Sequence, residues 1–271
     1  MYKLNGIIFY YSGSGNTKLA CEYISKHLND VDIELFDIVK SKEAPDLNGY
    51  DIVGFASFTD FFSPPYLFEQ YVKSIPEQKE KMAFMFSTYG NWRGKTLSKM
   101  ATQVTSRGFR VVAGYSLKTP ESYPPAIKRG IGDQTNPQEK HMEGLRQFLG
   151  ELNEIINLYS KGIKIDVAKI DKGGLLGFFF GNMSRRRARK AMGEIFLDES
   201  LCTDCGICEE GCPYSAISLN PKPQFDVNKC YGCWWCFNHC PTKAIYTKKI
   251  RGKWQYPKPN KQFRKKMKVE P

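Results

Sequence analysis

The chain has 271 residues with 41% hydrophobic and 14% aromatic content, a composition that excludes a disordered chain and allows one large domain or two modest ones. It has no run of about 18 apolar residues, which argues against a membrane-spanning helix, and its first residues lack the basic head and cleavage site of a signal peptide, so we expect a cytoplasmic protein. The net charge of +12 is uneven, because residues 1–160 are neutral overall whereas residues 248–271 hold ten Lys or Arg and one acidic residue.

Apolar, strand-like runs alternate with helical patterns through residues 1–160. The runs "GIIFYY", "DIELFDIV", "YDIVGFAS", "KMAFMFS" and "FRVVAGYSL" are separated by stretches such as "NTKLACEYISKHL". Strands and helices that alternate at this spacing predict an α/β fold, a doubly wound five-stranded parallel sheet covered by helices. Such sheets bind ligands beyond the carboxyl ends of their strands.

The loop "SGSGNTK" follows the first predicted strand and leads into the first helix. This position directs main-chain N–H groups and the positive end of a helix dipole at an anion. The loop matches neither G-x-x-x-x-G-K-[ST] nor G-x-G-x-x-G, so the anion that it predicts is not the phosphate of ATP or NAD. The residues that we expect to bind this anion are Ser12, Gly13, Ser14, Gly15, Asn16 and Thr17.

The stretch "IFYYSGSGNTKLACEYI" resembles the flavodoxin signature, apart from Cys21 at a helix position where flavodoxins usually have alanine. The resemblance implies a flavodoxin-like fold for residues 1–160 and FMN as the ligand whose phosphate the loop binds. It also implies two loops around the flavin ring, although the first, "GFASFTDFFSPP", lacks the usual Gly-x-Pro start. The predicted ring-loop residues are Ser57, Phe58 and Thr59 after the third strand, and Thr88, Tyr89, Gly90, Asn91 and Trp92 after the fourth.

Eight of the nine cysteines lie between residues 202 and 240, in two runs that both read C-x2-C-x2-C-x3-C-P. A shift of 28 residues superimposes the runs and aligns "CPYSAIS" with "CPTKAIY", which indicates an internal duplication. This density of cysteines without a secretion signal favours metal binding over disulfides. Zinc is the alternative to iron-sulfur clusters, but zinc sites usually pair two C-x2-C knuckles across a longer spacer.

Residues 193–247 resemble the bacterial 2x[4Fe-4S] ferredoxins, which implies a small α+β domain with two clusters. In that arrangement the fourth cysteine of each run ligates the cluster of the other run. The resemblance therefore implies one cluster held by Cys202, Cys205, Cys208 and Cys240, and a second held by Cys230, Cys233, Cys236 and Cys212. Trp234 and Trp235 lie inside the second run, where we expect them to keep water from the cluster.

Two further segments complete the predicted organisation. Residues 161–192 form a linker in which Phe178, Phe179 and Phe180 precede a basic run. We expect these aromatic side chains to pack between the domains, and the alternative is contact with a membrane surface. Residues 248–271 form a basic tail, which is either a solvated extension or a site for an acidic partner, anionic lipid or single-stranded nucleic acid.

Together the two halves resemble flavodoxin-ferredoxin fusion proteins, which occur mainly in anaerobes. The resemblance implies an electron carrier that relays single electrons between FMN, the two clusters and redox protein donors and acceptors. The alternative is an FMN-dependent oxidoreductase that reduces a small molecule with electrons from the clusters. The sequence has no nicotinamide fingerprint, and no catalytic acid, base or nucleophile is predicted at the flavin loops.

Overall fold

The computed structural model describes residues 3–41, 43–173 and 185–267. Its larger unit is a five-stranded parallel sheet with the strand order β2-β1-β3-β4-β5. This order confirms the predicted doubly wound, flavodoxin-like fold. The strands are β1 (Leu4–Tyr10), β2 (Val31–Asp37), β3 (Ile52–Phe58), β4 (Lys81–Tyr89) and β5 (Phe109–Lys118).

Helices cover both faces of this sheet. Those of the larger unit are α1 (Asn16–His27), α2 (Tyr66–Ser74), α3 (Thr96–Thr105), α4 (Pro124–Lys128) and α5 (Glu139–Ser160), with a 3-10 turn at Leu47–Gly49. Leu19 of α1 and Phe148 of α5 belong to the core on one face, and Phe68 of α2 and Met100 of α3 belong to the core on the other. The inner strands β1, β3 and β4 are apolar on both faces because both faces are covered, whereas the edge strand β2 alternates apolar with acidic residues. The loops that follow these parallel strands therefore meet at one edge.

Residues 185–247 form a smaller unit of short elements. These are α6 (Arg185–Met192), β6 (Ile195–Leu197), α7 (Ile207–Glu210), β7 (Ile217–Leu219), β8 (Pro223–Phe225), α8 (Trp235–His239) and β9 (Ile245–Thr247). Strand β6 pairs antiparallel with β9, and β7 pairs antiparallel with β8. Trp234 and Phe237 lie in the core between them. The unit confirms the predicted small α+β domain of the ferredoxin type.

The duplication of the cysteine runs is visible in the backbone. Left-handed φ angles occur at three positions of the first run and 28 residues later in the second, at Asp204, Gly206 and Ser215 and at Gly232, Trp234 and Lys243. Gly206 and Trp234 are the N-caps of α7 and α8. The two runs thus share one loop conformation, although the second copy has a tryptophan where the first has a glycine.

Residues 250–267, here called the C-terminal segment, return from the smaller unit to the sheet. Helix α9 (Lys261–Lys266) and the residue after it place Phe263 and Met267 in the core that contains α1 and α5, and Phe263 is 0% exposed. The interpretation of this part of the chain as a solvated tail is therefore wrong. The apolar side chains between the charges form a buried stripe, while Lys261 and Lys265 remain at the surface.

The linker aromatics Phe178, Phe179 and Phe180 lie outside the described residues. Among the residues that the structure describes, no helix combines the length and the apolar character needed to cross a membrane. The domain boundaries after residues 160, 192 and 247 stay predictions, although the C-terminal segment contacts both units.

Candidate cofactor sites

The phosphate loop, residues 12–17, joins β1 to α1 at the carboxyl edge of the sheet. Gly15 has φ +87°, and α1 begins at the next residue with neither a side-chain cap nor an acidic residue in its first turn. Within the described chain, the main-chain N–H groups of Gly13 to Thr17 donate to no protein acceptor. Free donors at the positive end of a twelve-residue helix fit a phosphate dianion.

The side chain of Asn16 is bonded to other parts of the protein. Its Nδ2 donates to the main-chain oxygen of Pro120 at 3.0 Å, and its Oδ1 accepts from the hydroxyl of Tyr256 at 3.0 Å. Asn16 is buried. The main chain of the loop, rather than this amide, is therefore the group that faces a ligand.

The hydroxyl groups of the loop have different surroundings. Thr17 Oγ1 lies 2.9 Å from Thr88 Oγ1, and both side chains are buried, so this pair joins the phosphate loop to the end of β4. Ser12 Oγ accepts from the main-chain N–H of Lys18 at 3.2 Å, which stabilises the turn into α1. Ser14 is largely buried and makes no hydrogen bond within the described chain, which leaves its hydroxyl available to a ligand.

The two predicted ring loops lie beside the phosphate loop. The first ring loop is residues 57–62, at the end of β3, and the second is residues 88–92, at the end of β4. Thr59 N donates to the main-chain oxygen of Thr88 at 2.8 Å, which holds the two loops together. Tyr89, Gly90 and Asn91 are partly buried, whereas Trp92 is 51% exposed at the rim.

Ser57 and Phe58 lie where the first ring loop leaves the sheet. Ser57 Oγ is buried and has no hydrogen-bond partner among the described residues. The ring of Phe58 packs against Tyr11 with centroids 5.0 Å apart, and it reaches within 3.6 Å of the position that a Cβ on Gly13 would take. An orphaned buried hydroxyl next to aromatic surface fits a ligand that is polar on one edge and flat and apolar elsewhere, as FMN is.

Glu121, in the loop after β5, is a site residue that sequence reasoning missed. Its carboxylate accepts from the main-chain N–H groups of Ser122 at 2.9 Å and Tyr123 at 3.0 Å, and also from that of Asn91. A Cβ on Gly90 would collide with this carboxylate. Burial raises the pKa of Glu121. Glu121 thus supports the main chain of the second ring loop. The sequence clue to this residue was its position just after the fifth predicted strand, because the carboxyl ends of parallel strands lie at the same edge of the sheet.

The eight cysteines of the two runs surround two separate cavities. The outer cavity is lined by Cys202, Cys205, Cys208 and Cys240, and the inner cavity by Cys230, Cys233, Cys236 and Cys212. The structure therefore brings together three cysteines of one run and the last cysteine of the other at each cavity. These are the two groups that the ferredoxin resemblance implies.

Each cavity is small. The volume open to a water-sized sphere is about 20 Å³ in both, which is about enough for one water molecule. Among the described residues, no three His, Cys, Asp or Glu side chains converge closely enough to hold one metal ion. Four cysteines that surround each cavity without converging on one point fit a cubane cluster, which thiolates bind from outside, better than they fit zinc.

Hydrogen bonds to the sulfur atoms repeat the duplication. Ala216 N donates to Cys212 Sγ at 3.3 Å, and Ala244 N donates to Cys240 Sγ at 3.2 Å. Such bonds orient a ligand and tune the potential of a cluster. Burial raises the pKa of the Cys208 thiol to about 11. The thiol is therefore protonated in the metal-free chain, and cluster binding must release this proton.

The two cavities differ in their surroundings. At the outer cavity Cys205 is exposed, and the apolar side chains of Leu201 and Ile207 beside it are 45% and 37% exposed. At the inner cavity Cys233, which corresponds to Cys205 in the duplication, is only partly exposed, and Trp234 contacts Tyr123 of the larger unit edge-on with centroids 6.0 Å apart. The outer cavity thus faces solvent, and the inner cavity faces the sheet domain.

A direct hydrogen bond joins the inner cavity to the first ring loop. Tyr231, which lines this cavity, donates from its hydroxyl to Asp60 Oδ2 at 2.7 Å and stacks on Tyr214 with centroids 5.0 Å apart. Burial raises the pKa of Asp60 to about 6, against the opposing effect of the bond from Tyr231. Phe61, the next residue, contacts Tyr123 with centroids 5.5 Å apart. The inner cavity and the predicted flavin site therefore share one wall of aromatic side chains.

Comparison with known proteins agrees with this geometry. The family profile described as a flavodoxin domain matches residues 7–114, and the profile described as a 4Fe-4S dicluster domain matches residues 201–244. An uncharacterized ferredoxin of Methanocaldococcus jannaschii is 32% identical over 65 residues, which are 22% of this chain and 84% of that protein. The pyruvate synthase subunit PorD of Methanothermobacter marburgensis is 40% identical over 50 residues, 18% of this chain and 59% of that subunit.

Among solved structures, a flavodoxin from the domain Archaea is 20% identical with a TM-score of 0.42, and the match covers 57% of this chain and 99% of that one. Oxidised flavodoxin 1 from Bacillus cereus is 21% identical with a TM-score of 0.40, and the match covers 55% and 97%. The chain contains a flavodoxin domain followed by a 4Fe-4S dicluster domain, and the second of these belongs to the ferredoxin family. Both domains indicate electron transfer, with flavin and iron-sulfur clusters as the classes of cofactor.

Proposed function

We propose that this protein relays single electrons between FMN, two [4Fe-4S] clusters and redox partner proteins. The observation that carries the proposal is the contact between the inner cavity and the first ring loop, where Tyr231 donates to Asp60 at 2.7 Å. A flavin exchanges electrons as a pair or singly, whereas each cluster carries one. A protein that holds both kinds of group side by side can therefore couple two-electron to one-electron chemistry.

The proposal gives one role to the flavin loops and another to the aromatic side chains of the shared wall. The main-chain N–H groups of the phosphate loop hold the FMN phosphate, and the ring loops flank the flavin. Tyr11, Tyr231 and Trp234 are buried between the flavin site and the inner cavity. Their side chains exclude water from this region, which lowers the solvent reorganisation energy when the flavin or the inner cluster changes charge.

The different exposure of the cavities supports an order of cofactors. The inner cluster, bound by Cys230, Cys233, Cys236 and Cys212, is the neighbour of the flavin. The outer cluster, bound by Cys202, Cys205, Cys208 and Cys240, faces solvent beside the exposed Leu201 and Ile207. Electrons thus pass between a partner protein and the outer cluster, and between the inner cluster and FMN. The nine free cysteines support a reducing compartment such as the cytoplasm as part of this proposal.

The alternative function is an FMN-dependent reductase of a small molecule. In the described chain, the carboxyl groups nearest the ring loops are Asp60 and Glu121, and both are partly buried and already accept hydrogen bonds from protein groups. Neither carboxyl is offered to a substrate as a proton donor. We therefore favour the carrier, which predicts that the reduced protein passes electrons to an oxidised 2x[4Fe-4S] ferredoxin faster than to a small quinone.

Cofactor analysis tests the proposal. Protein purified anaerobically, or reconstituted with iron, sulfide and FMN, should hold about one FMN and about eight iron atoms with as much sulfide, because each cubane contributes four of each. An anaerobic titration followed by optical and EPR spectra should then resolve one flavin and two clusters. Stoichiometric zinc without sulfide, or a chain that takes up no flavin, would contradict the proposal.

A further inference from the structure

The C-terminal segment crosses directly over the phosphate loop. Tyr256 is buried, and its hydroxyl donates to Asn16 Oδ1 at 3.0 Å while it accepts from the main-chain N–H of Asn260 at 3.2 Å. Pro259 lies against the loop, since a Cβ on Gly15 would be only 2.7 Å from its Cδ. The chain between residues 256 and 260 is therefore part of the wall around the loop that is proposed to hold the FMN phosphate.

The same segment is bonded to the ferredoxin domain. The main-chain N–H of Tyr256 donates to Asn238 Oδ1 at 3.1 Å, and Asn238 Nδ2 donates to the main-chain oxygen of Ser122 at 3.3 Å. Asn238 belongs to α8, between the inner-cavity ligand Cys236 and the outer-cavity ligand Cys240. A continuous series of hydrogen bonds thus runs from the helix between two cluster ligands, through Tyr256, to Asn16.

The series is buried and anchored at its far end. Asn16, Asn238 and Tyr256 are all less than a tenth exposed. Asn260 caps α9 and donates from Nδ2 to the main-chain oxygen of Gln134 at 2.9 Å, and Phe263 is enclosed in the sheet core. A buried amide or hydroxyl group that loses its hydrogen-bond partner is destabilised by its full desolvation free energy. The observed hydrogen bonds of Asn16, Asn238 and Tyr256 are therefore strongly preferred.

We propose that Tyr256 is a positioning residue for FMN binding, because it holds Asn16 so that the N–H groups of the phosphate loop converge on the phosphate. The proposal rests on the assignment of that loop to FMN and adds a dependence on the ferredoxin domain, since Tyr256 is itself held by Asn238. A loop that is only partly in its binding conformation has an apparent affinity reduced by that fraction. Flavin affinity should therefore respond to a residue that does not touch the flavin.

The test is the affinity of Tyr256→Phe for two flavins, measured by quenching of flavin fluorescence on protein with its clusters intact. FMN should bind roughly five- to tenfold more weakly than to the wild type, as expected for one buried hydrogen bond. Riboflavin, which lacks the phosphate, should bind with unchanged affinity. Tyr115→Phe is the matched control, because it removes a bond of 2.8 Å to His141 O away from the loop, and both of its affinities should equal those of the wild type.

The outcomes separate the inference from the proposed function. A wild type that binds neither flavin would refute the assignment of the site to FMN. If the wild type binds FMN and Tyr256→Phe binds it equally well, the positioning role alone is refuted. Equal losses of FMN and riboflavin affinity would also refute it, since they would show general damage to the domain. Asn238→Ala, with its iron content verified, should reproduce the selective loss of FMN affinity, because it frees the other side of Tyr256.

Discussion

Replacing Phe263 with alanine should detach the C-terminal segment from the sheet domain. The ring is fully buried in the core with α1 and α5, and removal of a packed phenylalanine costs about 3–5 kcal/mol. Helix α9 has six residues and lies near the end of the chain, so this cost should appear as local opening rather than as global unfolding. At about 1.4 kcal/mol for each factor of ten, the open population should rise roughly 100-fold or more.

Limited trypsin digestion followed by mass spectrometry measures this opening. Cleavage after Lys253 and Lys261 should accelerate by about the same factor as the open population, provided that reclosing is faster than cleavage. Cleavage after Lys26, inside α1, should stay as slow as in the wild type. Val227→Ala, at a side chain 58% exposed, is the control and should change neither rate. Equal cleavage of the segment in Phe263→Ala and the wild type would show that the segment is not part of the core.

Three further variants test other parts of the site. Because burial raises the pKa of Asp60 from 3.8 to about 6, its stabilising protonated form is lost as pH rises through 6. At pH 8, Asp60→Asn should therefore be more stable than the wild type by at most about 3 kcal/mol, because each unit of pKa shift is worth about 1.4 kcal/mol. Its unfolding temperature should be higher at pH 8, and this difference should disappear towards pH 4. A difference that does not change with pH would refute the burial argument. Gly15→Ala should weaken FMN binding about tenfold, because it adds left-handed strain of about 1–2 kcal/mol and a collision with Pro259. Gly162→Ala, which has a positive φ but open space around it, should leave FMN binding unchanged. If Gly15→Ala binds FMN as tightly as the wild type, the phosphate loop is misassigned. Cys240→Ala should remove the cluster of Cys202, Cys205 and Cys208, and an EPR spectrum that lacks the other cluster instead would contradict crossed ligation.

The sequence predicted the parts of this protein that depend on local pattern. Alternating apolar runs predicted the parallel sheet, and the spacing of the cysteines carried the ferredoxin resemblance, which implied the two groups that line the cavities. The position of Gly15 at the start of α1 likewise followed from a loop between a strand and a helix. These features are encoded within short stretches of the chain, so they can be recognised without knowledge of tertiary contacts.

The parts that were missed depend on contacts between distant residues. The bond between Tyr231 and Asp60 joins residues 171 positions apart, and that between Tyr256 and Asn16 joins residues 240 positions apart. In the C-terminal segment, the aromatic residues between the charges suggest a solvated extension or stacking on single-stranded nucleic acid, whereas the structure buries Phe263 in the sheet core. No local pattern specifies which surface such an aromatic residue contacts. Burial of Phe263 holds the basic segment against the sheet domain, beside the loop that we propose for FMN.

The most direct test of the proposed relay is the rate at which the flavin is reduced through the clusters. In anaerobic stopped-flow experiments, the flavin absorbance is followed after wild type or Cys240→Ala protein is mixed with reduced ferredoxin or, separately, with dithionite. We expect reduced ferredoxin to bleach the wild-type flavin rapidly and the variant flavin slowly, whereas dithionite, a small reductant, should bleach both. If ferredoxin reduces the flavin of the variant as fast as that of the wild type, the outer cluster is not on the electron path and the relay is contradicted.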